Sequence, residues 1–247
     1  NLGYADGRFL APVFPGDTLS AISEVIGVKE NSNGKTGVVY VRTTGFNQQG
    51  EAILSYVRWV MVQKGDPSAP APTAVIPKLP DFVAPQDLPV PAPAWSGTYD
   101  FELAGSPFAF EDYQIGECID HVDGMTVEEA EHQVATRLYQ NTAKVHFDAV
   151  AQAQSRQGKR LIYGGVVISI ARALAFNGLA NAAEILAINA GRHINPLFAG
   201  DTIYAWSEVL DKALLGNGHG GLRLRLIATK NVSAYDFQGP DSPEAIL

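Results

Sequence analysis

The chain of 247 residues has one cysteine, Cys118, two methionines, and only 18 Lys and Arg against 26 Asp and Glu. One cysteine excludes an intrachain disulfide framework; the residue reads as a small buried hydrophobe and fits a reducing cytoplasm. A net charge of −8 with no basic cluster argues against nucleic acid as a partner, because phosphate contacts need concentrated Lys and Arg. It does not exclude an anionic ligand, for which a few local cations suffice. No apolar run reaches the ~18–20 residues that span a bilayer. The nearest, residues 166–176, is shorter and carries Arg172. No phosphate-loop, dinucleotide or Gly-x-Ser-x-Gly motif is present. His121, His132 and His219 lack partners at metal-ligand spacing, so no metal site is expected.

What is present is a repeat. Residues 8–26, RFLAPVFPGDTLSAISEVI, return as residues 192–210, RHINPLFAGDTIYAWSEVL, at a constant offset of 184. Self-similarity at fixed spacing implies duplication of one structural unit. The copies are unequal: counterparts of roughly residues 111–184 are missing before the first GDT segment. EAIL at 51–54 returns as residues 244–247, where the chain stops, and it opens at Asn1 without Met. The pattern predicts a fragment of a longer chain. An apolar fraction of 46% with 18% charged residues is that of a globular protein.

Three segments follow. Residues 1–64 are expected to be the C-terminal part of the first repeat, with strands at 19–25, 36–43 and 52–62 and turns at Asn33-Gly34 and 48–50. Residues 65–96 are a linker, and 66–95 hold nine of the 15 prolines. Such a segment stays extended, cannot join a central sheet, and is expected to drape over the surface. Residues 97–247 are the second repeat, its last strand truncated. There Thr126 and Glu129 predict a capping box opening a helix with Val127, Ala130, Val134 and Leu138 on one face. A further helix is predicted near 143–154. Gly164-Gly165 opens VVISIARALAF, apolar nearly all round and therefore buried on most sides. Strands are expected near 183–193, 201–211 and 221–230. The fold class is α+β, with antiparallel sheets wrapped around a central apolar helix and the helical part of the first repeat absent.

The order EDYQIGE (111–117), helix, NTAKVHFDA (141–149), YGG-helix (163–176) and NPLFAGDTIYAWSEV (195–209) resembles the MaoC-like hydratases. The resemblance covers the chain apart from the linker and is nearest in spelling to the mesaconyl-CoA (2-methylfumaryl-CoA) hydratase branch. It implies a double hot-dog fold and reversible hydration of an enoyl-CoA thioester, most specifically mesaconyl-CoA to β-methylmalyl-CoA. No metal or redox cofactor is then needed, CoA arriving with the substrate, and a cytoplasmic homodimer is expected. Two other readings stay open: hydration of other enoyl chains or hot-dog thioester hydrolysis, and a non-catalytic acyl-CoA-binding module.

The family signature is Asp-x-Asn-Pro-x-His-x-Asp. His146 matches its catalytic histidine and Asp148 the following aspartate, but Asn141 stands at the catalytic Asp and Ala143-Lys144 at Asn-Pro. An imidazole exchanges protons at neutral pH, whereas an amide orients water without acting as a base. The resemblance thus makes His146 the acid/base, Asn141 the water holder and Asp148 a partner that fixes the imidazole tautomer. His146 also reads as an interhelical cap, and Asn141 as a helix C-cap. Gly164 and Gly165, beside Tyr163, offer bare N–H groups at a helix start for a thioester oxyanion, or simply permit tight packing. Arg192 could meet a substrate carboxylate or a CoA phosphate, or be a solvated strand end. Asp17 and Asp201, in the repeated GDT, read as turn residues whose carboxylates bond local N–H groups.

Overall fold

The computed structural model describes residues 2–90, 98–216 and 218–236. In chain order the main elements are β1 (Gly3–Phe9), β2 (Ser20–Glu30), β3 (Thr36–Phe46), β4 (Ala52–Gln63), α1 (Phe101–Ala104), β5 (Cys118–Thr126), α2 (Glu129–Leu138), α3 (Lys144–Phe147), α4 (Ala149–Ala153), α5 (Gly164–Leu174), β6 (Ala187–Arg192), β7 (Thr202–Gly216) and β8 (His219–Lys230). They fall into two bodies. The first holds the residues up to 90, Glu184–Arg192 and the described residues of 214–220; the second holds the remainder.

The first body is a five-stranded sheet in the order β2-β3-β4-β1-β6, every neighbouring pair antiparallel. Among the described residues it contains no α-helix. The turn after β2 closes because Asn33 Oδ1 accepts from the N–H groups of Lys35 (2.9 Å) and Thr36 (3.0 Å) and Gly34 takes φ +64°. The next is held by Asn47 Oδ1, which accepts from Gln49 and Glu51 N–H. Between β1 and β6, Gly3 pairs with Arg192 and Arg8 with Ala187. At the repeat offset, Arg8 corresponds to Arg192 and Gly3 to Ala187, so equivalent strands of the two copies pair antiparallel about a local two-fold axis.

The linker does not stay out of the sheet altogether. Val75 exchanges both backbone hydrogen bonds with Val28 on the outer strand β2 (2.8 and 2.9 Å), a single antiparallel bridge. Gly27 admits it: a Cβ there would lie 2.5 Å from the Val75 carbonyl oxygen. Further on, Val83 is buried and its N–H donates to Asn189 Oδ1 (2.8 Å).

The second body packs α5 against a three-stranded sheet, β5-β7-β8. Along β7 burial alternates, and Ile203, Ala205, Ser207 and Val209 point inward. Val166, Val167, Ile170, Ala171 and Leu174 of α5 meet Ile203, Ala205 and Ala228 in one core cluster. The period-2 face of the sheet and the apolar face of the helix thus bury each other.

Three expectations are corrected. The capping box is absent: Thr126 ends β5 and its hydroxyl bonds that of Thr202 (2.7 Å), while α2 starts at Glu129 with no side-chain cap. Its faces are also reversed. His132 and Thr136 are buried, whereas Val134 and Leu138 are 55% and 72% exposed. Val127 is buried, but on the connection before the helix. Cys118 is exposed at the start of β5.

Candidate active site

The helical region near residue 146 is broken where the sequence suggested one helix. Asp148 caps α4, its Oδ1 accepting the Ala151 N–H (2.9 Å), so α3 and α4 meet at a corner. That corner turns His146 toward Leu161. Its Nδ1–H donates to the Leu161 carbonyl (3.0 Å), because a carbonyl oxygen can only accept. Nε2 is then the bare, basic nitrogen. The residue that holds the imidazole tautomer is Leu161, and the Asp148 carboxylate serves the helix cap.

Asn141 sits just past the end of α2. Its N–H donates to Thr136 O (2.9 Å) and its Oδ1 accepts from Ala143 N–H (3.0 Å). The amide oxygen is therefore committed to the turn that brings the chain from α2 to α3.

Residues 161–163 form a strap from which the amino end of α5 is suspended. Leu161 N–H donates to Val145 O (3.1 Å), Ile162 N–H to Leu197 O (2.9 Å), and Tyr163 N–H to His132 Nε2 (2.8 Å). The rings gather around it. His146 lies with ring centroids 6.3 Å from His132, edge to face, and 5.7 Å from Tyr163. Tyr163 is the N-cap of α5, and Gly164 and Gly165 are its first two residues. The first N–H groups of a helix have no partner within it and carry the positive end of its dipole.

Both glycines are demanded by neighbouring rings. A Cβ on Gly164 would lie 2.4 Å from His193 Nε2, and one on Gly165 would lie 2.8 Å from Tyr163 Cζ. The helix start is thus flanked by an imidazole and a phenol, both from the second body. Burial holds His132, His146 and His193 below the ordinary histidine pKa, which keeps all three neutral at physiological pH.

Of the residues singled out in the sequence, the fold brings together His146, Tyr163, Gly164 and Gly165. Asn141 and Asp148 flank His146 in backbone roles. Arg192 belongs to the first body, exposed at the end of β6. His132 and His193 were not foreseen. A ring brought against a glycine by the fold is invisible to spacing, although His193 follows Arg192 directly. Among the described residues no group of three or more His, Cys, Asp or Glu could hold a metal, and no helix is long and apolar enough to cross a membrane.

The family model for mesaconyl-CoA hydratase matches residues 1–228. The chain belongs to the mesaconyl-CoA hydratase family. Mesaconyl-CoA hydratase of Cereibacter sphaeroides is 64% identical over 232 residues, covering 94% of this chain and 67% of that protein. β-Methylmalyl-CoA dehydratase of Chloroflexus aurantiacus is 58% identical over 244 residues, covering 98% of this chain and 69% of that one. Among solved structures, a MaoC domain dehydratase from Chloroflexus aurantiacus superposes with a TM-score of 0.95 at 55% identity, covering 100% of this chain and 72% of that one. A Mycobacterium tuberculosis protein with a double hot-dog fold gives 0.73 at 26%, again over 100% and 72%. The fold is therefore the double hot-dog that the sequence resembles, and the relatives of this mesaconyl-CoA hydratase family member are named as hydratases and dehydratases.

Proposed function

We propose that the protein reversibly hydrates an enoyl-CoA thioester, with mesaconyl-CoA as substrate and β-methylmalyl-CoA as product. The observation that carries the chemistry is the tautomer of His146. With Nδ1–H donated to Leu161, Nε2 is free to take a proton from water. Burial lowers its pKa and so keeps the base unprotonated at neutral pH.

In the hydration direction the water oxygen attacks Cβ while Nε2 accepts one of its protons. The π electrons move through Cα onto the thioester oxygen. Gly164 and Gly165 N–H groups at the start of α5 suit that developing oxyanion, and such donors typically contribute ~3–4 kcal/mol. His146 then returns the proton to Cα, so one water has added across the double bond and the base is regenerated. Every step is a proton transfer or an addition, and the mechanism draws on no metal or redox cofactor. A cytoplasmic homodimer belongs to the same reading, and light scattering of the purified protein tests its oligomeric state.

The decisive assay incubates the purified protein with mesaconyl-CoA. Loss of the enoyl-thioester absorbance without release of free thiol is the expected result. Free thiol appearing in step with substrate loss would mean hydrolysis. Binding with no turnover would mean an acyl-CoA-binding module.

A further inference from the structure

His132 is 1% exposed, on the inward side of a helix whose apolar residues face out. A helix does not bury an imidazole in preference to Val134 and Leu138 without a partner for it, because an unsatisfied ring nitrogen in a core loses its hydration with nothing in return. The partner is the Tyr163 N–H, which donates to Nε2 at 2.8 Å.

That bond has a consequence for the site. A nitrogen that accepts carries no proton, so neutral His132 bears its proton on Nδ1. The Tyr163 peptide is the one from which α5 starts, and its orientation sets where the next two N–H groups, on Gly164 and Gly165, point. Two residues earlier, the same strap presents the Leu161 carbonyl that holds His146. His146 and the helix start are therefore referred to one another through three residues, and His132 pins the far end of those three. On the other side the His193 ring occupies the space that a Cβ on Gly164 would take. The strap is held from α2 and from the segment after β6 at once.

We propose that His132 is a positioning residue. As a neutral Nδ1–H tautomer it fixes the Tyr163 peptide, and so sets the spacing between the His146 base and the N–H groups at the start of α5. It touches no reacting atom. Its kinetic consequence rests on the hydratase reading above, whereas its tautomer does not.

Two measurements test it. Long-range 1H–15N correlation on protein labelled in its histidines, with the His132 signals assigned from their loss in His132→Gln, is expected to show a neutral ring protonated at Nδ1. An Nε2–H tautomer, or a charged ring at pH 7.5, overturns the proposal. This arm uses the folded wild-type protein and stands even if mesaconyl-CoA is not turned over, in which case it is the functional reading that fails.

The second arm is kinetic. His132→Leu removes the acceptor and is expected to lower kcat ~10–100-fold, the scale of a small misplacement at a reaction centre. KM should change less than about threefold, since ground-state binding is untouched. His132→Gln, whose Oε1 can accept the same N–H, should recover most of that loss. Equal losses in both variants, or a raised KM with kcat unchanged, would reduce His132 to packing. If His132→Leu does not fold, wild type against His132→Gln together with the tautomer decides.

Discussion

His146 and Leu161 are joined by a hydrogen bond of 3.0 Å from the imidazole Nδ1 to the backbone carbonyl oxygen. A main-chain carbonyl does not titrate and cannot rotate away, so it orients the ring at every pH at which the fold survives. His146→Ala should lower kcat by ~10²–10⁴-fold, with a separate stability loss of about 1–3 kcal/mol from the Leu161 carbonyl left unpaired. Hydration of mesaconyl-CoA within about tenfold of wild type would remove His146 from the mechanism.

Gly165 is closely covered by the Tyr163 ring, with Cζ at 2.8 Å and Cε1 at 2.9 Å from an ideal Cβ. Gly165→Ala should therefore push the phenol aside and cost about 1–3 kcal/mol, the usual scale of overpacking. In a Tyr163→Ala background the same substitution should cost much less. Urea midpoints of the four proteins give the coupling, and additive losses would show that the two residues do not meet.

His121 is fully buried, donating from Nδ1 to Asn177 O (2.6 Å) and accepting at Nε2 from the Ser207 hydroxyl (2.8 Å). Burial holds its pKa below 6.5, as it does those of His132, His146 and His193. Between the unfolded value and the lowered folded one, the unfolded chain binds more protons. Stability from these groups is thus fully present above about pH 6.5 and declines as pH falls below it, until the folded values are reached. Urea midpoints should drop between pH 7 and 5, above the range where carboxylates titrate. A flat profile there would mean that these rings are hydrated in solution.

Asp17 and Asp201 occupy the same turn in both copies. Phe14 N–H donates to Asp17 (2.8 Å) and Phe198 N–H to Asp201 (2.9 Å), with Gly16 and Gly200 at φ +99° and +92°. Gln48 bridges Asp17 to the Thr18 N–H, as Asn231 bridges Asp201 to the Thr202 N–H. Asp201→Ala should cost about 1 kcal/mol in stability, the ordinary worth of such bonds. Its kcat should stay at the wild-type value, and a large loss in kcat from a stable variant would give Asp201 a chemical role.

The repeated turns were legible because their chemistry is local. Within Pro-x-Phe-x-Gly-Asp-Thr the Asp carboxylate accepts the Phe N–H three residues before it and the glycine takes the positive φ, so the same spelling forms the same turn in both copies. Strands β2, β3 and β4 were legible for a similar reason, being rich in β-branched residues and bounded by Asn and Gly. β1 and β5 were not. GYADGRF and CIDHVDGMT alternate poorly, and each carries a residue of positive φ, Asp6 and Val122. Both are strands because partners on the sheet supply hydrogen bonds, not because of their own propensity.

The helix α2 shows the limit of periodicity most directly. Val127, Ala130, Val134 and Leu138 gave a sound apolar stripe, yet the side that turns inward holds His132 and Thr136. On that side the Tyr163 N–H, 31 residues away, donates to His132.

By itself the sequence determined the duplication, the antiparallel sheets with one buried helix, the turn chemistry and the family. All of these depend on patterns within a few residues or on spelling shared between copies. The tertiary structure alone decided that His132 and His193 join His146, that Leu161 instead of Asp148 holds the imidazole, and that the linker bridges a sheet edge. Each of those turns on a close approach between residues distant in the chain, and such contact is set by packing that no local pattern encodes.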